Sequence, residues 1–158
     1  MKNKICILLI IFSAISCNKE KRYSKKLIKG EEWEIKSIAV DGNRIDQTLS
    51  QYGSRWLVSG EDIYKVVSQV VWGVKYTNTN YTSFEWQFQE KGKKWVMNYL
   101  QDCLECDGTK IDDFDYMAFY LSGTYDVAKH RNKEMLFRST QTNGYPNQTV
   151  EIRIGKSD

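Results

Sequence analysis

The sequence predicts a mainly β domain, an antiparallel meander of about eight strands closed into a barrel or sandwich. Three observations carry that expectation. Residues 82–89 (TSFEWQFQ) and 94–100 (KWVMNYL) alternate apolar and polar side chains on either side of Glu90-Lys91-Gly92, which is the pattern of a hairpin with one buried face. The chain is rich in strand-favouring aromatics, with five Trp and ten Tyr, and has one proline, Pro146. Short alternating runs recur along its length, each closed by turn residues.

The elements follow in order. Residues 18–29 (NKEKRYSKKLIK) are polar and strongly basic, and read as a solvated tether whose cations can also meet anionic headgroups. Residues 32–40 (EWEIKSIAV) alternate, with Trp33, Ile35 and, past Ser37, Ala39 on one face; Asp41-Gly42 then turns the chain. Residues 45–54 are polar and irregular, and Arg55 to Val58 open a second strand.

Residues 61–77 admit two readings. Ile63, Val66, Val67, Val70, Val71 and Val74 share one helix face. Valines are poor helix formers, and Val66, Val70, Trp72, Val74 and Tyr76 share a strand face. The strand is preferred, with a short helix within 61–75 as the alternative. Residues 116–121 (YMAFYL) predict a strand continued beyond Ser122-Gly123 through 124–128; 129–133 form a turn carrying His130. Residues 134–139 (EMLFRS) pair back, 142–148 loop, and 149–154 (TVEIRI) close the chain with Val150, Ile152 and Ile154 inward. No internal repeat or low-complexity tract occurs.

The N-terminus reads as a targeting segment. Lys2 and Lys4 precede the apolar run ICILLIIF (residues 5–12), then Ser13-Ala14-Ile15-Ser16 lead to Cys17. A basic start, a short apolar run and small residues describe a secretory signal, too short to span a bilayer as a mature helix. The small residues before Cys17 resemble the lipobox of bacterial lipoproteins, with Ala14 where that family prefers Leu. The resemblance implies cleavage before Cys17 (signal 1–16, tether 17–29, one domain 30–158) and fatty acyl chains such as palmitate on Cys17. Several chains give stable membrane attachment. Lys19-Glu20-Lys21-Arg22 is unlike the acidic surface-export signal of Bacteroidota-type lipoproteins, so the expected place is the cell envelope, on the outer membrane facing the periplasm.

Loss of Lys2 and Lys4 leaves 21 basic against 20 acidic residues, a balance that gives no case for nucleic acid as partner. Cys6 leaves with the signal. Cys103 and Cys106 form Cys-Leu-Glu-Cys; in an oxidising compartment a local disulfide is the first reading. A metal site lacks ligands, since the only histidine is His130. A redox pair is disfavoured by Asp102, Glu105 and Asp107, which raise thiol pKa values, and free or intermolecular thiols are the remaining option.

No nucleophile elbow, phosphate loop or HExxH occurs. Asp112, Asp113 and Asp115 read as a solvated acidic turn, lacking the glycine and distal glutamate of a calcium loop, and His130 as a hairpin tip. The chain is therefore expected to be non-enzymatic, with neither cofactor nor metal. The better candidates are the aromatic strand faces: Trp72, Trp86, Phe88, Trp95, Tyr99 and Phe119 are the residues expected to line a cavity for an apolar ligand, unless they simply fill the core.

LIKGEEWEIKSIAVDG (residues 27–42) resembles the opening of lipocalin-like (calycin) domains in bacterial lipoproteins, where a Gly and a Trp precede a first strand ending at Val-Asp-Gly. Residues 84–99 and SGTYDVAKHRNKEMLF (122–137) are similar to later parts of that pattern. Here two residues separate Gly30 from Trp33, where the family has one. The resemblance implies a calycin barrel whose floor is closed by Trp33. It also implies an apolar small molecule or lipid as ligand, with the membrane as the partner of the N-terminal lipid. The rival expectation is a structural or interaction lipoprotein with a filled core, a subunit of an envelope assembly or an inhibitor of a secreted enzyme.

Overall fold

The computed structural model describes residues 19–47, 54–59, 68–74, 81–100 and 113–156. Helix α1 (residues 19–29) leads into strands β1 (Glu32–Val40), β2 (Asn43–Arg44), β3 (Ser54–Ser59), β4 (Ser68–Val74), β5 (Tyr81–Gln89) and β6 (Lys94–Tyr99). Helix α2 (Asp113–Leu121) precedes β7 (Gly123–His130), β8 (Glu134–Ser139) and β9 (Val150–Gly155). Every neighbouring pair is antiparallel, in the order β2-β1-β3-β4-β5-β6-β7-β8-β9, and β1 also pairs with β9. The sheet thus closes on itself as an eight-stranded up-and-down barrel, with β2 a short flap on β1, and of the two expected architectures it is the barrel.

Closure depends on a bulge in β1. Residues 32–34 pair with β3, while residues 34–40 pair with β9 across a register shift between Ile35 and Ser37. The extra residue exchanges the faces of the strand. Trp33 and Ile35 point inward before it, Ile38 and Val40 after it; the expected inward place of Ala39 is corrected by one position. A second shift between Val127 and Lys129 does the same in β7, turning His130 towards the barrel end. Asp41 and Gly42 both take positive φ (48° and 81°), the conformation of a two-residue hairpin turn, as Asp-Gly predicts.

The segment 68–74 is strand, as preferred; the remainder of the ambiguous stretch lies outside the described residues. Val70 and Trp72, both strand-favouring, take inner positions there. Two other expectations are overturned. Residues 19–29, read as a spacer, form α1. Tyr23 and Leu27, four residues apart, lie on its barrel side, and Leu27 is fully buried. Residues 116–121, read as a strand, belong to α2. Its buried positions are Ala118 and Leu121, with Met117 half-buried, which is a helical spacing. Its last carbonyls find partners outside the helix: Gly144 N–H donates to Tyr120 O (2.9 Å), Ser122 Oγ to Ala118 O (2.8 Å), and the Tyr125 hydroxyl to Leu121 O.

The two helices lie at opposite barrel ends. β6 runs from Lys94 near α1 to Tyr99, whose N–H donates to Ser122 Oγ beside α2 (2.8 Å); β7 runs back from Gly123 to His130 beneath α1. A buried carboxylate braces the wall. Asp46 accepts from Ile38 N–H (3.0 Å) and from Arg44 (2.5 Å). Burial works to raise its pKa, but the Arg44 guanidinium and the Ile38 N–H outweigh it and hold the carboxyl below the ordinary range.

Candidate functional site

The interior is built from alternate residues of the strands. Trp33, Trp56 and Trp72 occupy cross-strand pairs of β1, β3 and β4, and all three are fully buried. From β5 come Thr82, Phe84, Trp86 and Phe88; from β6, Trp95 and Met97; from β7 and β8, Tyr125 and Phe137. Trp95 is the hub. It stacks on Phe137 at 4.3 Å and on Trp56 at 5.6 Å between ring centroids, and meets Tyr125 at 5.5 Å. Phe84 meets Trp56 edge to face at 5.0 Å. The stack of Trp56, Trp95 and Phe137 links β3, β6 and β8, and so bridges the barrel from side to side.

These rings differ in what their polar atoms do. The indole N–H of Trp33 donates to Leu27 O (2.9 Å), and that of Trp72 to Ser54 Oγ (2.5 Å). The indole N–H groups of Trp56, Trp86 and Trp95, and the Thr82 hydroxyl, are buried with no protein partner. Each such group costs about 1–3 kcal/mol when nothing accepts from it. Most buried polar groups in folded proteins have a partner, so these donors stand apart from the rest of the interior.

Of the residues expected to line a cavity, Trp72, Trp86, Phe88 and Trp95 are inside the barrel. Tyr99 is half-buried at the α2 end, against Phe119 at 6.2 Å. Phe119 itself is corrected: it is 49% exposed on the outer face of α2, because the segment is helical. The sequence reading missed Trp56, Phe84, Tyr125 and Phe137 as lining residues. Phe84 shares the parity of Trp86 and Phe88, which was the available signal. Cys17, Cys103, Cys106 and Asp112 lie outside the described residues; Asp113 and Asp115 are in α2.

The floor is the end under α1. Gly30 is needed there, because a Cβ at that position would sit 2.3 Å from the Trp33 indole nitrogen. The Lys156 ammonium lies 5.7 Å from the centre of the Trp33 ring. Tyr23 of α1 stacks on His130 at 3.6 Å and meets Phe88 edge to face at 5.6 Å. The imidazole is therefore not a solvated hairpin tip. Burial, with the charges of Lys26 and Arg22 added, pushes His130 down to about 4, and its buried Nε2 has no partner.

Among the described residues no group of three or more His, Cys, Asp or Glu is placed to hold a metal ion, and no helix is long and apolar enough to cross a membrane.

No family model matches the chain, and no curated protein matches it. A search of solved structures finds Japanin from Rhipicephalus appendiculatus bound to cholesterol, at 7% identity and a TM-score of 0.46, covering 81% of this chain and 76% of that one. The barrel is lipocalin-like. That statement rests on the strand order, eight antiparallel strands in sequence closed by β1 on β9, which is the order of a lipocalin meander.

Proposed function

We propose that this chain is a non-enzymatic carrier which holds a small, largely apolar molecule bearing hydrogen-bond acceptors inside its barrel. The observation that carries the reading is the set of unpartnered donors, Trp56, Trp86, Trp95 and Thr82, within walls that are otherwise aromatic and aliphatic. A purely apolar occupant would leave them unsatisfied. An acceptor-bearing one, such as an oxygenated lipid or a conjugated ring compound, meets both the apolar walls and the donors. Flat molecules suit this interior, since indole and phenyl faces stack at ring spacings.

The signal-like residues 1–16 and the lipobox-like cysteine support an anchored form: cleavage before Cys17, acylation there, and residence on the outer membrane facing the periplasm. A disulfide between Cys103 and Cys106 fits such a compartment.

The test is native mass spectrometry of the Cys17→Ser protein, secreted to its own periplasm and purified without detergent. A stoichiometric adduct, with quenching of tryptophan fluorescence when the extracted compound is added back, is the expected result. A bare mass, with fluorescence indifferent to a panel of acceptor-bearing apolar compounds, overturns the reading. A second reading then takes its place, favoured by the Trp56–Trp95–Phe137 stack that already bridges the interior. In it the barrel is a filled scaffold for contact with another envelope protein.

A further inference from the structure

The charge of this chain is divided very unevenly. Residues 19–29 hold six basic side chains and one acidic, so the remaining 15 basic and 19 acidic residues of the mature chain form a net negative body. The structure makes α1 a rigid part of that body and fixes which way its charge points. At 100° per residue, Lys19, Arg22, Lys25, Lys26 and Lys29 fall within one stripe about 120° wide. Tyr23 and Leu27 face the barrel, about 100° and 140° from the middle of that stripe, and Lys19 and Arg22 of the stripe lie over the Tyr23 ring, 5.6 Å and 5.8 Å from its centre. Like charges three and four residues apart weaken a helix, so this stripe is held in place by the docked face and not by the helix itself.

The floor turns extend the same surface. Glu20 of α1 accepts from Lys91 N–H in the β5–β6 turn, which sets that turn against the helix. Exposed Lys91 and Lys93 stand there with exposed Glu90, leaving the turn one positive charge, and exposed Arg131 stands in the β7–β8 turn, next to the His130 that Tyr23 covers. Lys129 is spoken for by Glu134 and adds no net charge.

We propose that this barrel end, the outer stripe of α1 with Lys93 and Arg131, is a docking face for an anionic lipid surface. Charge complementarity selects an anion-rich partner. The place of Cys17 selects a bilayer over a soluble polyanion. Cys17 lies two residues from Lys19, the first described residue of α1, a reach of at most about 7 Å, so an acyl chain on Cys17 would set the floor of the barrel at the headgroups. Each Lys or Arg near an anionic leaflet contributes about 1 kcal/mol, and the acyl anchor removes the entropy of finding the surface. The choice of a bilayer rests on the acylation reading; the basic face does not.

The test uses unacylated Cys17→Ser protein and flotation with vesicles of phosphatidylcholine, with and without phosphatidylglycerol. Binding to the phosphatidylglycerol vesicles alone, released by added salt, is the expected result. The pair Lys25→Glu and Lys29→Glu, and separately the pair Lys93→Glu and Arg131→Glu, each weaken it by about 25-fold or more, with melting curves kept as the check on folding. No dependence on phosphatidylglycerol overturns the proposal. So does loss confined to the helix pair, which reduces the face to a basic helix, and so does binding to soluble polyphosphate with none to vesicles. The mass of the native chain extracted from membranes tests acylation of Cys17 separately, so failure there leaves the vesicle result standing as evidence of the face.

Discussion

Leu27→Ala separates a helix that is part of the barrel from a tether that merely precedes it. Leu27 is fully buried on α1, and its carbonyl takes the Trp33 indole N–H. The substitution keeps the carbonyl and removes three carbons of side chain. At about 0.8 kcal/mol per carbon group, the transfer loss is about 2.4 kcal/mol. A cavity term of about 24 cal/mol per Å³ that fails to collapse brings the total to about 3–4 kcal/mol. Helix propensity does not offset this, since alanine gains only tenths of a kcal/mol over leucine. For a domain of this size, about 3–4 °C of Tm is lost per kcal/mol, so the variant melts about 10 °C below its parent. The assay is a thermal melt with a urea titration, joined to limited trypsin digestion at the lysines of α1. The variant is expected to be cut there while the rest of the chain survives. An unchanged Tm, with α1 cut equally fast in parent and variant, would refute the docked helix and restore the spacer.

Gly30→Ala places a Cβ 2.3 Å from the Trp33 indole nitrogen, and is expected to break the Trp33–Leu27 bond at a cost of about 2–4 kcal/mol, read as a loss of Tm and a red-shifted tryptophan emission. Asp46→Ala leaves the Ile38 N–H without its acceptor and costs about 2–3 kcal/mol by urea denaturation; a neutral result would mean that water replaces the carboxylate. His130 is held neutral in the fold down to about pH 4 against an ordinary 6.5, so the unfolded chain takes its proton first. The stability it contributes is complete above pH 6.5, declines as pH falls towards 4, and is flat below; with the ring only partly buried and screened by solvent, the total is about 1 kcal/mol. His130→Gln should flatten the urea midpoint across that window, and an unaltered pH profile would show that the imidazole titrates freely.

How far the sequence reveals this molecule depends on which force decides each element. The β5–β6 hairpin is legible because alternation, turn residues and aromatic content agree. Strand β1 is legible in position, and the bulge shows in EWEIKSIAV as a change of parity, Trp33 and Ile35 before Lys36-Ser37 and Ile38 and Val40 after it; reading one unbroken alternation put Ala39 inward instead. Helix α2 is misread because YMAFYL carries strand-forming aromatics; what makes it helical is the burial of Ala118 and Leu121 and the capture of its last carbonyls by residues 143–144 and Tyr125, all tertiary. Helix α1 hides behind its charge. Tyr23, Leu27 and Ile28 pack it on the core and Glu20 ties it to the β5–β6 turn, and a lysine-rich composition masks them. Of the interior, strand parity reveals which side chains face inward. It does not reveal that Trp33 and Trp72 find acceptors while Trp56, Trp86 and Trp95 do not, because that depends on where Leu27 O and Ser54 Oγ arrive in space.

The arrangement has a directional consequence. Trp33, Gly30, Leu27 and Lys156 meet at the floor, beneath α1 and its basic stripe. Among the described residues, the Trp33–Leu27 bond and the Tyr23–His130 stack hold that end together. The other end is closed by α2, whose outer face exposes Tyr116, Phe119 and Tyr120 and whose hold on the barrel runs through the Ser122 hydroxyl and the turn at 143–144. The carrier proposal therefore places loading at the α2 end, and the docking proposal places the membrane at the floor. Docking and loading then use groups at opposite ends of the same strands. A charge reversal that abolishes vesicle binding has no contact through which to alter an occupant held by Trp56 and Trp95, and the two proposed activities stand or fall independently.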